Sequence, residues 1–212
     1  MSLGFLLKIS LISCSGALAP GPLTAATAAL GVKRGWRGGF WVGMGHMLVE
    51  APLVLLVGLG LVVALTSRMA VVGLSLAGGF FMLGFAALTF RDAFKFKGLE
   101  GGGEGGRFSS PILVGVGLTA LNPFFIIWWG TVGAPLILEG LGYWGLPGLI
   151  PLYAAHVWLD YAWLSLVAHL TSLGGSRAKI YRAMLIGFSI FLVVFGVDFV
   201  YYALTETHLL PL

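Results

Sequence analysis

Apolar residues run along this chain in long blocks separated by short polar stretches. The blocks cover about 3–31, 38–65, 69–90, 110–137, 146–172 and 181–204, and each approaches or exceeds the roughly 20 residues a helix needs to cross a bilayer. The pattern predicts an all-α integral membrane protein of six transmembrane helices. Two blocks are interrupted. The first contains Ala19-Pro20-Gly21-Pro22 and the fourth Leu121-Asn122-Pro123. Proline lacks a backbone donor and disfavours helical geometry in the residue before it, so helices 1 and 4 are expected to be broken there.

The second and fifth blocks share another feature. His46-Met47-Leu48-Val49-Glu50 and His156-Val157-Trp158-Leu159-Asp160 each place a carboxylate four residues after a histidine, near mid-span. That spacing puts both side chains on one helix face. The polar stretch between the third and fourth blocks holds Gly98-Leu99-Glu100-Gly101-Gly102-Gly103-Glu104-Gly105-Gly106. It satisfies GxGxxG through glycine content alone; no strand precedes it and no Gly-Lys-Ser/Thr follows, so a flexible linker is expected, not a nucleotide site. It divides the chain into a first three-helix repeat (1–97), a cytoplasmic linker (98–109) and a second three-helix repeat (110–212). Three spans per half force the second half to enter the membrane inverted, with a broken first helix in each and transport by rocking of one half against the other.

Charge gives the blocks a direction. Ten of the twelve Lys and Arg fall in the odd-numbered loops: Lys33, Arg34, Arg37, Arg91, Lys95, Lys97, Arg107, Arg177, Lys179 and Arg182. The positive-inside rule makes those loops cytoplasmic and puts both termini outside a cell membrane. Trp36 and Trp41 on one side, and Tyr143, Trp144, Tyr201 and Tyr202 on the other, mark the interfaces. The net charge of +4 is therefore a topological record, and no nucleic-acid partner is expected. Ala17-Leu18-Ala19 and Leu11-Ile12-Ser13-Cys14 resemble processing signals, but Pro20 would follow the cleaved bond and the apolar run before Cys14 is short, so no cleavage is expected.

Composition agrees with lipid as the solvent. Hydrophobic residues make up 58% and charged ones 9%, against roughly a quarter charged in soluble domains. The 33 glycines suit helices that approach closely in lipid, and Gly35, Gly39 and Gly43 form such a ridge. A single cysteine, Cys14, allows no intramolecular disulfide.

An ionisable group near the bilayer centre costs at least a few kcal/mol on insertion scales, so Glu50 and Asp160 need a reason. They can be neutral acids bonded to their own histidines, serving as interhelical glue. No Lys or Arg lies mid-membrane, so the site equally suits a proton, a metal cation or an ammonium group. The helix breaks supply the opposite polarity, because a half-helix starting inside the membrane points free N–H groups and a positive dipole end inward. Asn122 would cap the helix beginning at Pro123, and Pro22 suits the first turn of the other; plain proline kinks are the alternative. Together Pro20, Gly21, Pro22, Asn122 and Pro123 for a carboxylate, with His46, Glu50, His156 and Asp160 for protons or an amine, describe a site for a zwitterion. The same four ionisable residues offer mixed nitrogen and oxygen ligands for a divalent metal. No HExxH and no nucleophile-base grouping is present, so neither enzymatic activity nor a cofactor is expected. Trp158, Tyr161 and Trp163 flank Asp160 and can line a pocket or face lipid. Asp198 and His169 read as interfacial, and Glu139, Glu206 and His208 as loop or tail residues.

Ala19-Pro20-Gly21-Pro22, Gly31, Arg34, Gly35, Gly39, Gly45, Gly58-Leu59-Gly60-Leu61, Gly78-Gly79, Gly84, Arg91 and Leu121-Asn122-Pro123 together resemble the LysE/RhtB family of amino-acid exporters. Most of the chain takes part. The resemblance implies a six-helix fold and efflux of amino acids or related metabolites driven by the proton-motive force. Two departures bear on the cargo. Phe124 and Phe125 follow Asn-Pro where the family commonly has a polar residue, and His46 stands near the usual acidic position with Glu50 one turn later. The wider superfamily also includes exporters of metal cations. The expected partners are thus a small solute, protons and membrane lipid, with a homo-oligomer also compatible.

Overall fold

A computed structural model describes residues 3–19, 21–61, 67–95, 110–174 and 178–209. Pro20 and the 98–109 linker lie outside the described residues. Among those described, every regular element is helical: α1 (Leu3–Ala17), α2 (Pro22–Arg34), α3 (Trp36–Gly58), α4 (Arg68–Lys95), α5 (Pro111–Ala120), α6 (Pro123–Trp128), a π turn (Trp129–Gly133), α7 (Ala134–Trp144), a 3₁₀ turn (Leu146–Gly148), α8 (Leu149–Gly174) and α9 (Ala178–Thr205).

Both expected breaks are present. The axes of α1 and α2 differ by 79°. Between α5 and α6 only Leu121 and Asn122 interrupt the helix, and the Asn122 side chain accepts from the Phe124 N–H at 3.1 Å, which satisfies one of the donors a helix start leaves free.

The span count differs from the hydrophobic pattern. Among the described residues four helical stretches are long and apolar enough to cross a membrane, Trp36–Gly58, Arg68–Arg91, Pro123–Trp144 and Leu185–Thr205, with a fifth if α1 and α2 form one bent span. Helix α8 has 26 residues, length enough, but His156, Asp160, His169 and its tryptophans and tyrosines dilute its apolarity. The fourth block is the clearest difference. Its ten-residue start, α5, spans only about 15 Å, while the part after the break continues past 137 to Trp144. Glu139, expected in a loop, sits on α7 and pairs with Lys8 Nζ at 2.6 Å, which is how a charge is tolerated there.

Two apolar clusters flank the centre. One joins Ala26, Met82, Phe85, Leu118, Leu192 and Phe199, and the other joins Phe5, Ile9, Leu53, Trp129, Ile137 and Leu152. Helix α4 packs most extensively on α9, and α3 packs on α8 and α5, with α2 and α1 also against α8. Glycines set these distances. A Cβ on Gly39 would overlap the Leu164 carbonyl, one on Gly45 that of Ile112, one on Gly115 that of Val42, and one on Gly78 that of Leu121. Gly43 meets the Tyr161 ring, whereas Gly35, at φ +58, forms the turn between α2 and α3. The expected ridge thus contributes two packing positions and one turn.

The chain folds back after α9. Asp198, expected near water, is fully buried; its oxygens accept from His208 Nδ1 at 2.8 Å and the Leu209 N–H at 2.7 Å. The His208 ring stacks on Tyr202, centroids 4.4 Å apart, and lies 5.3 Å from that of Phe124. Glu206 adopts φ +57 and takes both a 2.8 Å bond from Arg68 Nε and an ion pair with the other end of the guanidinium. This hydrogen bonding holds the Glu206 carboxyl below the usual carboxylate range.

Replacing Gly45 or Gly115 by valine should cost about 1–3 kcal/mol or more through overpacking, seen as a lowered unfolding midpoint in detergent. Gly73→Ala and Gly187→Ala, where no neighbour lies within 4 Å, should leave the midpoint equal or raised by helix propensity.

Candidate functional site

The close approach of α3 and α8 brings the two i,i+4 pairs together. His46 Nε2 and His156 Nε2 both lie 3.1 Å from the same atom, Glu50 Oε1. Asp160 completes the group, with Oδ2 3.3 Å from His156 Nε2 and Oδ1 3.9 Å from His46 Nε2. All four side chains are buried. Each histidine therefore touches the carboxylates of both helices and not that of its own helix alone.

A second ring of side chains fixes the first. His46 Nδ1 meets the Thr119 hydroxyl at 2.9 Å, and His156 Nδ1 meets the Ser13 hydroxyl at 2.7 Å. The helix preceding the break in one half thus holds the histidine of the other. Hydroxyls donating to Nδ1 and Nε2–H donating to Glu50 satisfy both rings in their neutral form. Glu50 also accepts from Trp129 Nε1 at 3.1 Å and the Tyr153 hydroxyl at 3.0 Å. The π turn after α6 carries Trp129, and Gly133 leaves room for its ring, since a Cβ there would overlap it. Such turns often mark functional positions.

These groups open on a cavity of about 340 Å³. Gly21, Pro22 and Asn122 from the helix breaks line it together with His46, Glu50, His156 and Asp160. Pro123 is buried beside it at the start of α6. Gly21 gives α2 no side-chain cap, so the first-turn N–H groups of Leu23 and Thr24, both lining residues, have no such acceptor. The α6 start differs because Asn122 already accepts there. Trp158, Tyr161 and Trp163 are not among the lining residues; the Trp158 indole donates to the Ala155 carbonyl at 3.1 Å and Tyr161 points its hydroxyl to Met47 Sδ at 3.4 Å.

The arrangement can do two kinds of chemistry. Four ionisable groups in hydrogen-bond reach can hold and pass a proton. One atom each from His46, Glu50 and Asp160 also lies within 4.8 Å of the others, close enough to converge on a cation, with Ser13 and Thr119 as the hydroxyls that would orient the imidazoles. The sequence reading missed Ser13, Thr119, Trp129 and Tyr153. Tyr153 had a signal, since three residues before His156 is the same face of α8; the other three reach the site only through the packing of separate helices.

Trp129→Phe exchanges the indole for a smaller phenyl ring and removes a donor to a buried carboxylate, at a cost of about 1–3 kcal/mol for the lost bond. Gly133→Ala should produce a comparable fall in unfolding midpoint by displacing the indole. Unchanged midpoints in both variants would show that the π turn does not support the site.

The model of the LysE type translocator family matches residues 14–203, a stretch that includes both helix breaks and all four ionisable residues. No curated protein and no solved structure matches the chain. With nearly its whole length covered and several helices apolar enough to cross a bilayer, the chain belongs to the LysE type translocator family and is a multi-pass membrane transporter.

Proposed function

We propose that this transporter is a secondary-active exporter of amino acids or related small zwitterionic metabolites, coupled to protons. The observation that carries this reading is the single cavity shared by the helix breaks and the four ionisable residues. Its volume, about 340 Å³, is in the range of small-molecule pockets, roughly 300–1,000 Å³, and far exceeds a bare ion. The cargo carboxylate is placed at the start of α2, where uncapped N–H groups and the positive dipole end converge. Its amine is placed at the carboxylates, and the His46, Glu50, His156 and Asp160 group exchanges the coupling proton.

The same reading takes the chain as six crossings in two inverted halves, 1–97 and 110–212, joined by a cytoplasmic linker at 98–109, with both termini outside the cell membrane. Its support is the distribution of Lys and Arg, the break that opens each half, and the reciprocal Ser13–His156 and Thr119–His46 contacts.

Export of a divalent metal is the second reading, favoured by the convergence of His46, Glu50 and Asp160. The ion would be cargo, with His156 as a further ligand. Binding would require both Nε2 atoms to offer lone pairs, moving the ring protons to Nδ1 and reversing the hydroxyl bonds.

Proteoliposomes given an imposed pH gradient should show amino-acid flux that falls at least tenfold in the Glu50→Gln/Asp160→Asn double variant. Flux unchanged in that variant would remove the carboxylates from the mechanism. Saturable binding of Mn²⁺ or Zn²⁺, lost in His46→Ala, together with no amino-acid flux, would select the metal reading instead.

A further inference from the structure

Resting on the amino-acid reading above, we infer that Asp160, and not Glu50, is the carboxylate that receives the cargo's ammonium group, and that the cavity around it selects amino acids with a bulky apolar side chain. The two carboxylates match in sequence context but not in environment. Glu50 accepts three donors on Oε1 and one on Oε2, all within 3.1 Å. Oε1 is fully taken, and Oε2 already carries the Tyr153 hydroxyl. Asp160 is 6% exposed and lines the same cavity, and its Oδ2, 3.3 Å from His156 Nε2, has no aligned hydrogen-bond donor among the described residues. Its nearest nitrogens belong to histidines whose Nε2 atoms are directed at Glu50. A buried acceptor without a donor is costly. An ammonium group, with three donors and a positive charge, is the group that removes that cost.

The asymmetry has a source in the chain. Three positions before His156 stands Tyr153, whose hydroxyl goes to Glu50; three positions before His46 stands Gly43, which has no side chain to offer Asp160. Trp129 also goes to Glu50. Both aromatic donors thus serve one carboxylate and leave the other free for a ligand.

The remaining walls define the body of the cargo. Phe124, Phe125, Trp128, Trp129 and Phe195 line the cavity, and among the described residues no Lys or Arg does so. An acidic side chain would therefore meet no cation. A second amine would be left with Glu50, which already accepts four donors. A bulky apolar side chain fits against these rings, with Ser15, Thr24, Thr119 and Asn122 as the neutral polar part of the lining, and aromatic faces beside the ammonium add cation–π attraction.

Binding of L-phenylalanine, N-acetyl-L-phenylalanine, L-glutamate and L-lysine to the purified chain in nanodiscs tests this. Phenylalanine should bind at least tenfold more tightly than the other three, because acetylation removes the cationic head and the charged side chains have no partner. Asp160→Asn should weaken phenylalanine at least tenfold and abolish its preference over the N-acetyl derivative. Glu50→Gln should lower the unfolding midpoint of the ligand-free protein, as expected of a carboxylate held by four donors. The N-acetyl comparison needs only the unmodified chain, so it holds even if a variant fails to fold. Phenylalanine binding without discrimination against the N-acetyl form, or discrimination that survives Asp160→Asn, overturns the assignment and leaves the amino-acid reading intact. Glutamate or lysine binding as tightly as phenylalanine overturns the side-chain selection. Binding of none of these compounds by the unmodified chain overturns the amino-acid reading and this inference with it.

Discussion

Two imidazoles and one indole converge on a single carboxylate oxygen, Glu50 Oε1, each at 3.1 Å. An ionised carboxyl group in a region without water costs several kcal/mol unless donors replace its hydration. Those donors come from three separate helical segments, and bringing them to one atom constrains everything around them. Helices α3 and α8 must approach to backbone contact, which Gly39 permits against Leu164. The chain after the second break must widen by a π turn to present Trp129. The segments before each break must stay helical far enough to deliver Ser13 and Thr119 to the histidines.

How much of this could be read from the residues depended on whether the signal was local. The two His-x-x-x-carboxylate pairs were legible because an i,i+4 spacing within one helix is a property of the sequence itself. The breaks were legible for the same reason, since a proline acts on its own peptide bond and the one before it. That the four residues form one group with shared contacts was not, because it depends on the crossing of α3 and α8. Hydropathy misled at one place. It ended the fourth block before Glu139, although an ion pair with Lys8 lets the helix continue. Asp198 looked interfacial from its place near a helix end; the returning tail with His208 and Leu209 buries it.

Similarity between the halves can conceal a difference in chemistry. His46 with Glu50 and His156 with Asp160 are alike as motifs, yet one carboxylate is surrounded by donors and the other is short of them. The same i,i+4 pair occurs twice in the sequence, and the surrounding aromatic residues make the two occurrences unequal. Gly43 and Tyr153, at matching offsets from the two histidines, are enough to shift the balance.

The glycine contacts also bear on which parts of the molecule can move as bodies. Gly39 against Leu164, Gly45 against Ile112 and Gly115 against Val42 press the backbone of α3 onto α8 and α5, across the midpoint of the chain. Surfaces with so little side chain between them resist sliding, because any shift brings carbonyl oxygens into collision. Helices α4 and α9, by contrast, pack chiefly on each other and reach the rest mainly through α2 and α6. One backbone contact still ties the two together: Gly78 of α4 lies against the Leu121 carbonyl, so the pair of α4 and α9 is joined to the glycine-packed block at the second helix break.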